Sequence, residues 1–148
     1  MIKIYSDAAF KQKTREVGIG IQIISEEQRI LNKTYIPWVF DNHVAEFLAL
    51  ISALNYVTTN FELDQAVLFY SDSRILIESL EKAYSKHDEY SKPLAYLLNQ
   101  LDTIPLFFPK WIPEAQNKGA DHLARQALRR EGKLYKAFDT PIIDYSDL

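Results

Sequence analysis

Hydrophobic and polar positions alternate along the first forty residues, and then the period changes. Ile2–Asp7 sets Ile2 and Ile4 between polar neighbours, Val17–Ser25 is a second apolar run, and Arg29–Val39 alternates around Ile30, Asn32, Thr34 and Ile36. A period of two marks a half-buried strand, so the pattern predicts a three-stranded meander. Phe10–Glu16 is its first connection, polar and basic, and Glu26-Glu27-Gln28 its second, a turn; Gly18 and Gly20 flatten the start of strand two. From Asp41 onward the spacing is helical. Asp41 or Asn42 can cap a helix running to about Thr58, with Val44, Phe47, Leu48 and Ile51 at i, i+3, i+4 and i+7.

Strand four is predicted at Ala66–Ser71, followed by a short helix from Ser73 to about Lys82 with Leu76, Ile77 and Leu80 on one side. Ser85–Lys92 reads as a polar loop and Pro93–Leu101 as a further helix. Leu106–Ile112 is strand five, and Pro109 within it places that strand at the sheet margin, where a missing N–H is tolerated. Asn117–Glu131 is the last helix, striped by Ala120, Leu123, Ala124, Ala127 and Leu128, with Gly132 as its stop. The order βββαβαβα predicts an α/β fold, an antiparallel ribbon followed by right-handed crossovers. One domain covers residues 1–132, and residues 133–148 form a tail that Tyr135, Phe138 and Ile142 can pack down.

The chemistry begins with a tripeptide used twice. Ile2-Lys3-Ile4-Tyr5-Ser6-Asp7 and Ala66-Val67-Leu68-Phe69-Tyr70-Ser71-Asp72 are both β-leaning runs ending in Tyr-Ser-Asp. A carboxylate at the end of a buried strand is costly to desolvate unless something positive meets it. If strand four lies parallel to strand one, Asp7 and Asp72 come together and repel unless a cation sits between them. Tyr145-Ser146-Asp147, a third copy without strand context, reads as chance. Glu46 is the only formally charged residue between Asp41 and Glu62, set among Val44, Ala45, Phe47 and Leu48. Taken singly it is equally a boundary glutamate with its head in water. Asp121 stands in the first turn of the last helix, where the helix dipole favours it and Arg125 can pair with it. Taken together, four acids at element ends match a site for two Mg²⁺ or Mn²⁺ ions about 4 Å apart, the arrangement that drives phosphoryl chemistry.

Composition narrows the choices. The 148 residues contain no cysteine, so disulfides and thiolate ligands are excluded and any metal is held by oxygen or imidazole. Hydrophobic residues at 47% and aromatics at 13% support a packed core rather than disorder. No apolar run approaches the roughly 20 residues of a membrane span, and the N-terminus lacks a signal-peptide layout, so cytoplasm is the expected location and no membrane partner is expected. Net charge is −3, unlike a protein that coats nucleic acid. Local basic segments remain at Lys11, Lys13 and Arg15, and at Arg125, Arg129, Arg130, Lys133 and Lys136. The four glycines form no phosphate loop. Ala9, two residues after Asp7, removes the second acid that a proofreading exonuclease or a haloacid-dehalogenase-type phosphatase requires.

The motifs together resemble type 1 ribonuclease H over about residues 1–131. Four features carry the resemblance: a strand ending in Asp7, the spacing Asn42 to Glu46, Asp72-Ser73, and Gln116-Asn117-Lys118-Gly119-Ala120-Asp121-His122-Leu123-Ala124. The resemblance implies a ribonuclease H-like five-stranded mixed sheet of order 3-2-1-4-5 and Asp7, Glu46, Asp72 and Asp121 as catalytic metal ligands. It implies hydrolysis of the RNA strand of an RNA–DNA hybrid by two Mg²⁺, with Mn²⁺ as substitute, in a monomeric enzyme. Asn42, His43, Arg74 and Asn117 become the expected substrate-binding residues, contacting backbone and 2′-hydroxyls in the minor groove. Three departures stand out: Ala8-Ala9 replaces a glycine and a small polar residue, Pro113–Gln116 lacks the loop histidine, and the basic protrusion is absent at Glu81–Lys92. They keep open an alternative, a weakly active or non-catalytic module that binds nucleic acid or a protein partner.

Overall fold

The computed structural model describes residues 1–134. The element order is β1 (Ile2–Lys11), β2 (Glu16–Ile24), β3 (Arg29–Ile36), α1 (Asn42–Asn60), β4 (Val67–Ser71), α2 (Arg74–Lys82), α3 (Asp88–Leu101), β5 (Phe107–Trp111) and α4 (Lys118–Leu128), with one 3₁₀ turn at Glu114–Gln116. The strands form a single sheet in the order β3-β2-β1-β4-β5. β2 runs antiparallel to β1 and β3, while β4 and β5 run parallel to β1, as the crossover reading expects. β5 is an edge strand, as Pro109 requires. The bonds from Val67 N to Leu106 O and from Ile112 N to Ser71 O put its even-numbered residues on the ladder, so Pro109 falls on the outward side.

The sheet separates two unequal layers. Ile2, Ile4, Val17, Ile19, Ile21, Ile23, Val67 and Phe69 are buried in one cluster with Phe47, Leu48, Leu50, Ile51 and Leu54 of α1 and Leu76, Tyr90, Leu94 and Leu97 of α2 and α3. The alternate positions of β2 face α4. A Cβ at Gly18 would lie 2.1 Å from the Ala124 carbonyl oxygen, and one at Gly20 would lie 2.2 Å from that of Ala120. These two glycines therefore do more than flatten a strand: they let α4 rest on the sheet backbone, with Ala120, Ala124 and Ala127 buried at the contact.

Several boundaries differ from expectation, each for a local reason. β1 continues past Asp7 to Lys11, because its pairing with β2 persists through Ala8↔Ile19, Ala9↔Gly18, Phe10↔Val17 and Lys11↔Glu16. The segment read as a connection is thus mostly strand, and Asp7 lies within β1 rather than at its end. β3 stops at Ile36, before Pro37. α3 begins at Asp88, not at Pro93, because Tyr90 is drawn into the core and stacks on Phe47 at a centroid distance of 5.6 Å. α4 ends at Leu128 without using Gly132. Arg130 takes the left-handed position (φ 55°), and the bonds Glu131 N to Gln126 O and Arg130 N to Ala127 O close a Schellman cap. The Arg130 guanidinium lies 4.7 Å over the Tyr35 ring and reaches Glu16 at 3.4 Å, contacts a glycine would lack. The packing expected of Tyr135, Phe138 and Ile142, and the third Tyr-Ser-Asp, lie outside the described residues.

Candidate active site

Acids from the sheet and from both helical layers converge near the centre of the sheet. Asp7 comes from β1, Asp72 directly follows β4, and Glu46 stands on the second turn of α1. Each offers a carboxylate oxygen, and the three oxygens lie within 4.8 Å of one another. Asp121, in the first turn of α4, lines the same open cleft with Ala8, Ala9, Phe10, Glu114, Arg125 and Arg129. It stands outside the tight trio and pairs with Arg125 at 3.1 Å, so the helix ion pair and the place at the cleft are both realised.

Burial sets the electrostatics. Asp7 is 6% exposed and Glu46 9%. Desolvation first, and then the Asp72 charge, push the Asp7 carboxyl up to about 8, while the Ala8 backbone N–H pulls the other way. Glu46 is raised well above the usual carboxylate range, again by desolvation and then by Asp7 and Asp72. Asp72 is raised by desolvation, with Glu114 and Asp121 adding to it and the Asn117 hydrogen bond opposing it. Glu46 Oε2 is buried with no hydrogen-bond partner among the described residues. A buried acceptor left unpaired beside two more carboxylates is a place for a cation. The donors are all carboxylate oxygens, which suits a hard divalent ion such as Mg²⁺ or Mn²⁺.

The expected substrate-binding residues fall in different places. Asn42 is exposed at the start of α1, and His43 beside it meets the Tyr90 ring edge-on at 5.8 Å. Asp41 fixes that helix start: Oδ1 accepts from Val44 N at 2.8 Å, and Oδ2 accepts from the Tyr90 hydroxyl at 2.9 Å. Arg74 is exposed, its guanidinium 3.8 Å over the Trp111 ring, while Trp111 Nε1 donates to the Asp72 carbonyl at 3.1 Å. Asn117 is different from these three. It is 1% exposed, and its Nδ2 donates to the Ser6 carbonyl at 2.9 Å and to Asp72 Oδ2 at 3.3 Å. Its amide is therefore engaged in orienting Asp72 against β1. Sequence reasoning places Trp111 at the head of the last motif but gives neither it nor Tyr90 a role, because their contacts are to residues 39 and 49 positions away with no local pattern to announce them.

A carboxylate cluster at the centre of a 3-2-1-4-5 mixed sheet defines the class: an α/β protein of ribonuclease H-like fold with a candidate divalent-metal site. The sequence matches the RNase H family over residues 1–129, and the chain belongs to that family. It is 40% identical over 131 residues to "Putative hydrolase EbsB" of Enterococcus faecalis, an alignment that spans 88% of this chain and 96% of that one. Among solved structures, LC11-RNase H1 in complex with an RNA/DNA hybrid superposes with a TM-score of 0.79 at 25% identity, covering 88% of this chain and 98% of that one. RNase H1 of the halophilic archaeon Halobacterium salinarum shares the fold with a TM-score of 0.78 at 22% identity, over 87% of this chain and 98% of that one. Among the described residues, no helix is long and apolar enough to cross a membrane.

Proposed function

We propose that this protein is a metal-dependent endoribonuclease that hydrolyses the RNA strand of RNA–DNA hybrids, with Asp7, Glu46, Asp72 and Asp121 as its catalytic, metal-binding carboxylates. One observation carries the reading: three carboxylates from β1, α1 and β4 within 4.8 Å, one of them with an unpartnered buried oxygen. Family membership and the likeness to an RNase H1 crystallised with RNA/DNA hybrid support the substrate class. The action is that of a cytoplasmic monomer.

Asp7, flanked by Glu46 and Asp72, would together with them and Asp121 hold two Mg²⁺ ions, with Mn²⁺ as a substitute. Bound there, the ions would supply an activated water and stabilise charge on the leaving 3′ oxygen, giving 5′-phosphate and 3′-hydroxyl ends. The chain's own part is to hold the carboxylates before substrate arrives, which lowers the reorganisation needed during reaction. Asn117 orients Asp72, and Arg125 restrains Asp121. Asp41 and Tyr90 fix the helix start from which Asn42 and His43 meet the 2′-hydroxyls of the RNA strand. Arg74, spread on Trp111 beside Asp72, meets the phosphate backbone.

The test is cleavage of a labelled RNA–DNA hybrid with Mg²⁺ and separately with Mn²⁺, beside single-stranded RNA, duplex RNA and the Asp72→Asn variant. Metal-dependent cutting confined to hybrid RNA is expected, with a loss of roughly 1,000-fold in the variant, the scale of several kcal/mol of metal-derived stabilisation. A folded parent that cuts nothing with either metal overturns the reading.

A further inference from the structure

Among the described residues, α4 packs on its face of the sheet over β1, β2 and β3, and the β4–β5 end of that face stays open. Ile2 and Ile4 of β1, Val67 and Phe69 of β4 and Phe107 of β5 turn toward the α1 layer. By strand alternation Lys3, Tyr5, Leu68, Tyr70, Phe108 and Lys110 turn the other way. The register sets Tyr5 beside Tyr70 and Tyr70 beside Lys110, with Lys3, Leu68 and Phe108 in the row below. Phe108 is left 52% exposed, and Leu31, on the same face of β3 opposite Gln22, is 45% exposed.

This open face carries stacking surface and positive charge together. The half-buried Tyr5 and Tyr70 rings stack at 4.9 Å and 18°, and Phe108 stands diagonally from Tyr70 on the next strand. On the tyrosine side of the acids, the charged residues placed on this face are Lys3, Arg29 and Lys110. All three are cations, in a chain of net charge −3. Neither tyrosine hydroxyl has a hydrogen-bond partner among the described residues. Tyr5 and Asp7 lie two residues apart in β1, so the tyrosine pair stands about 7 Å along the strand from the cleft.

We propose that this face is a platform for single-stranded RNA, which stacks unpaired bases on Tyr70 and Phe108 and lays its phosphates on Lys3, Arg29 and Lys110. Rings beside cations suit a single strand because its base faces are free, whereas those of a duplex are already stacked on one another. The tyrosine hydroxyls can donate to and accept from 2′-hydroxyls, which DNA lacks. A second copy of the chain fits poorly, since a two-fold contact would bring the same three cations against themselves. The platform is separate from the hydrolysis proposed above and does not depend on it.

The test is the anisotropy of a labelled oligouridine of about 12 nucleotides, in chelator so that nothing is cut. Oligodeoxyuridine of the same length is the DNA arm, and RNA should bind the tighter of the two. Phe108→Ala should weaken RNA binding about tenfold, and Phe108→Tyr should restore most of it. Lys3→Ala and Lys110→Ala should each lower the slope of affinity against salt by about 0.7. Tyr70→Phe keeps the ring and should erase the preference for RNA. Melting temperatures control for folding; Phe108 and Lys110 are exposed. With Mg²⁺ present, Phe108→Ala should cut blunt hybrid as the parent does, because the platform is not part of the reacting site. A folded parent that ignores oligouridine, or binds it without regard to Phe108, overturns the platform. Equal binding of the DNA arm overturns its assignment to RNA. Self-association of the parent that is lost in Phe108→Ala, without RNA binding, gives the face to a second copy instead. If hybrid is never cut but oligouridine binding depends on Phe108, the hydrolase reading falls and the platform stands.

Discussion

On one face of the sheet α1 rests on Ile4, Ile19, Ile21 and Phe69; on the other α4 rests on two glycines. Long side chains fill the first contact, and each contributes about 1.5–3 kcal/mol of burial. Backbone meets backbone in the second, where little apolar area is gained but the spacing has almost no freedom. The difference assigns the layers separate tasks. The thick layer stabilises the domain and delivers Glu46, while the thin one fixes where Asn117 and Asp121 stand relative to β1. A site that needs carboxylates held to a fraction of an ångström is served by having one rigid neighbour that cannot be padded.

The comparison is broken most strongly at Gly20. Gly20→Ala puts a methyl 2.2 Å from the Ala120 carbonyl oxygen, which cannot move without lifting α4. A loss of about 3 kcal/mol or more is expected, at the upper end for overpacking, or roughly 10 °C in melting temperature. Ile19→Val, one residue away on the thick face, should lose only about 1 kcal/mol by the same calorimetric measurement. If the two cost alike, the faces do not differ as argued.

A second effect, intermediate in size, comes from the acids between the layers. In the metal-free fold the Asp7 proton is held up to about pH 8, whereas an unfolded chain releases it near the ordinary value of 3.8. The folded state therefore binds more protons between those values, and stability falls as pH rises through them. Chemical denaturation of the metal-free protein at pH 5 and pH 8 should show that decline. Asp7→Asn should flatten it, and added Mg²⁺ should restore stability at pH 8. A parent that gains stability over this range would contradict the electrostatics.

The smallest effect belongs to Asn117, the thin layer's link to β1. Asn117→Ala leaves the buried Ser6 carbonyl without this donor and frees Asp72, so a loss of about 1–2 kcal/mol is expected, together with weaker Mg²⁺ binding by titration calorimetry. Weaker metal binding without any loss of stability would mean that Asn117 orients Asp72 without supporting the fold.

Much of this was legible in the sequence, because strands and helices announce themselves by period. The strand order and the meeting of Asp7, Glu46 and Asp72 followed from the order of elements and the family's motifs. What the chain hid was non-local. Nothing near Asp7 shows that β1 continues beyond it; that depends on pairing with Gly18 and Val17. The polar run Ser85–Lys92 reads as a loop and so delays the helix to Pro93, whereas the burial of Tyr90 against Phe47 draws its start back to Asp88. Asn117 sits in the most recognisable motif of the chain, yet its partners are Ser6, 111 residues away, and Asp72. A motif names the residue; only the fold names what it touches.

Pro109 carries a consequence for life in a crowded cell. A sheet that stops at β5 presents open amides on which another molecule's strand can template, the first step toward aggregates. Because the even-numbered residues face β4, the vacant side belongs to Phe107, Pro109 and Trp111. Proline at the centre of those three leaves a would-be guest strand without its middle donor. An imperfection tolerated by the ladder thus works as a guard on the border, discouraging runaway association in a chain whose net charge of −3 offers only modest repulsion.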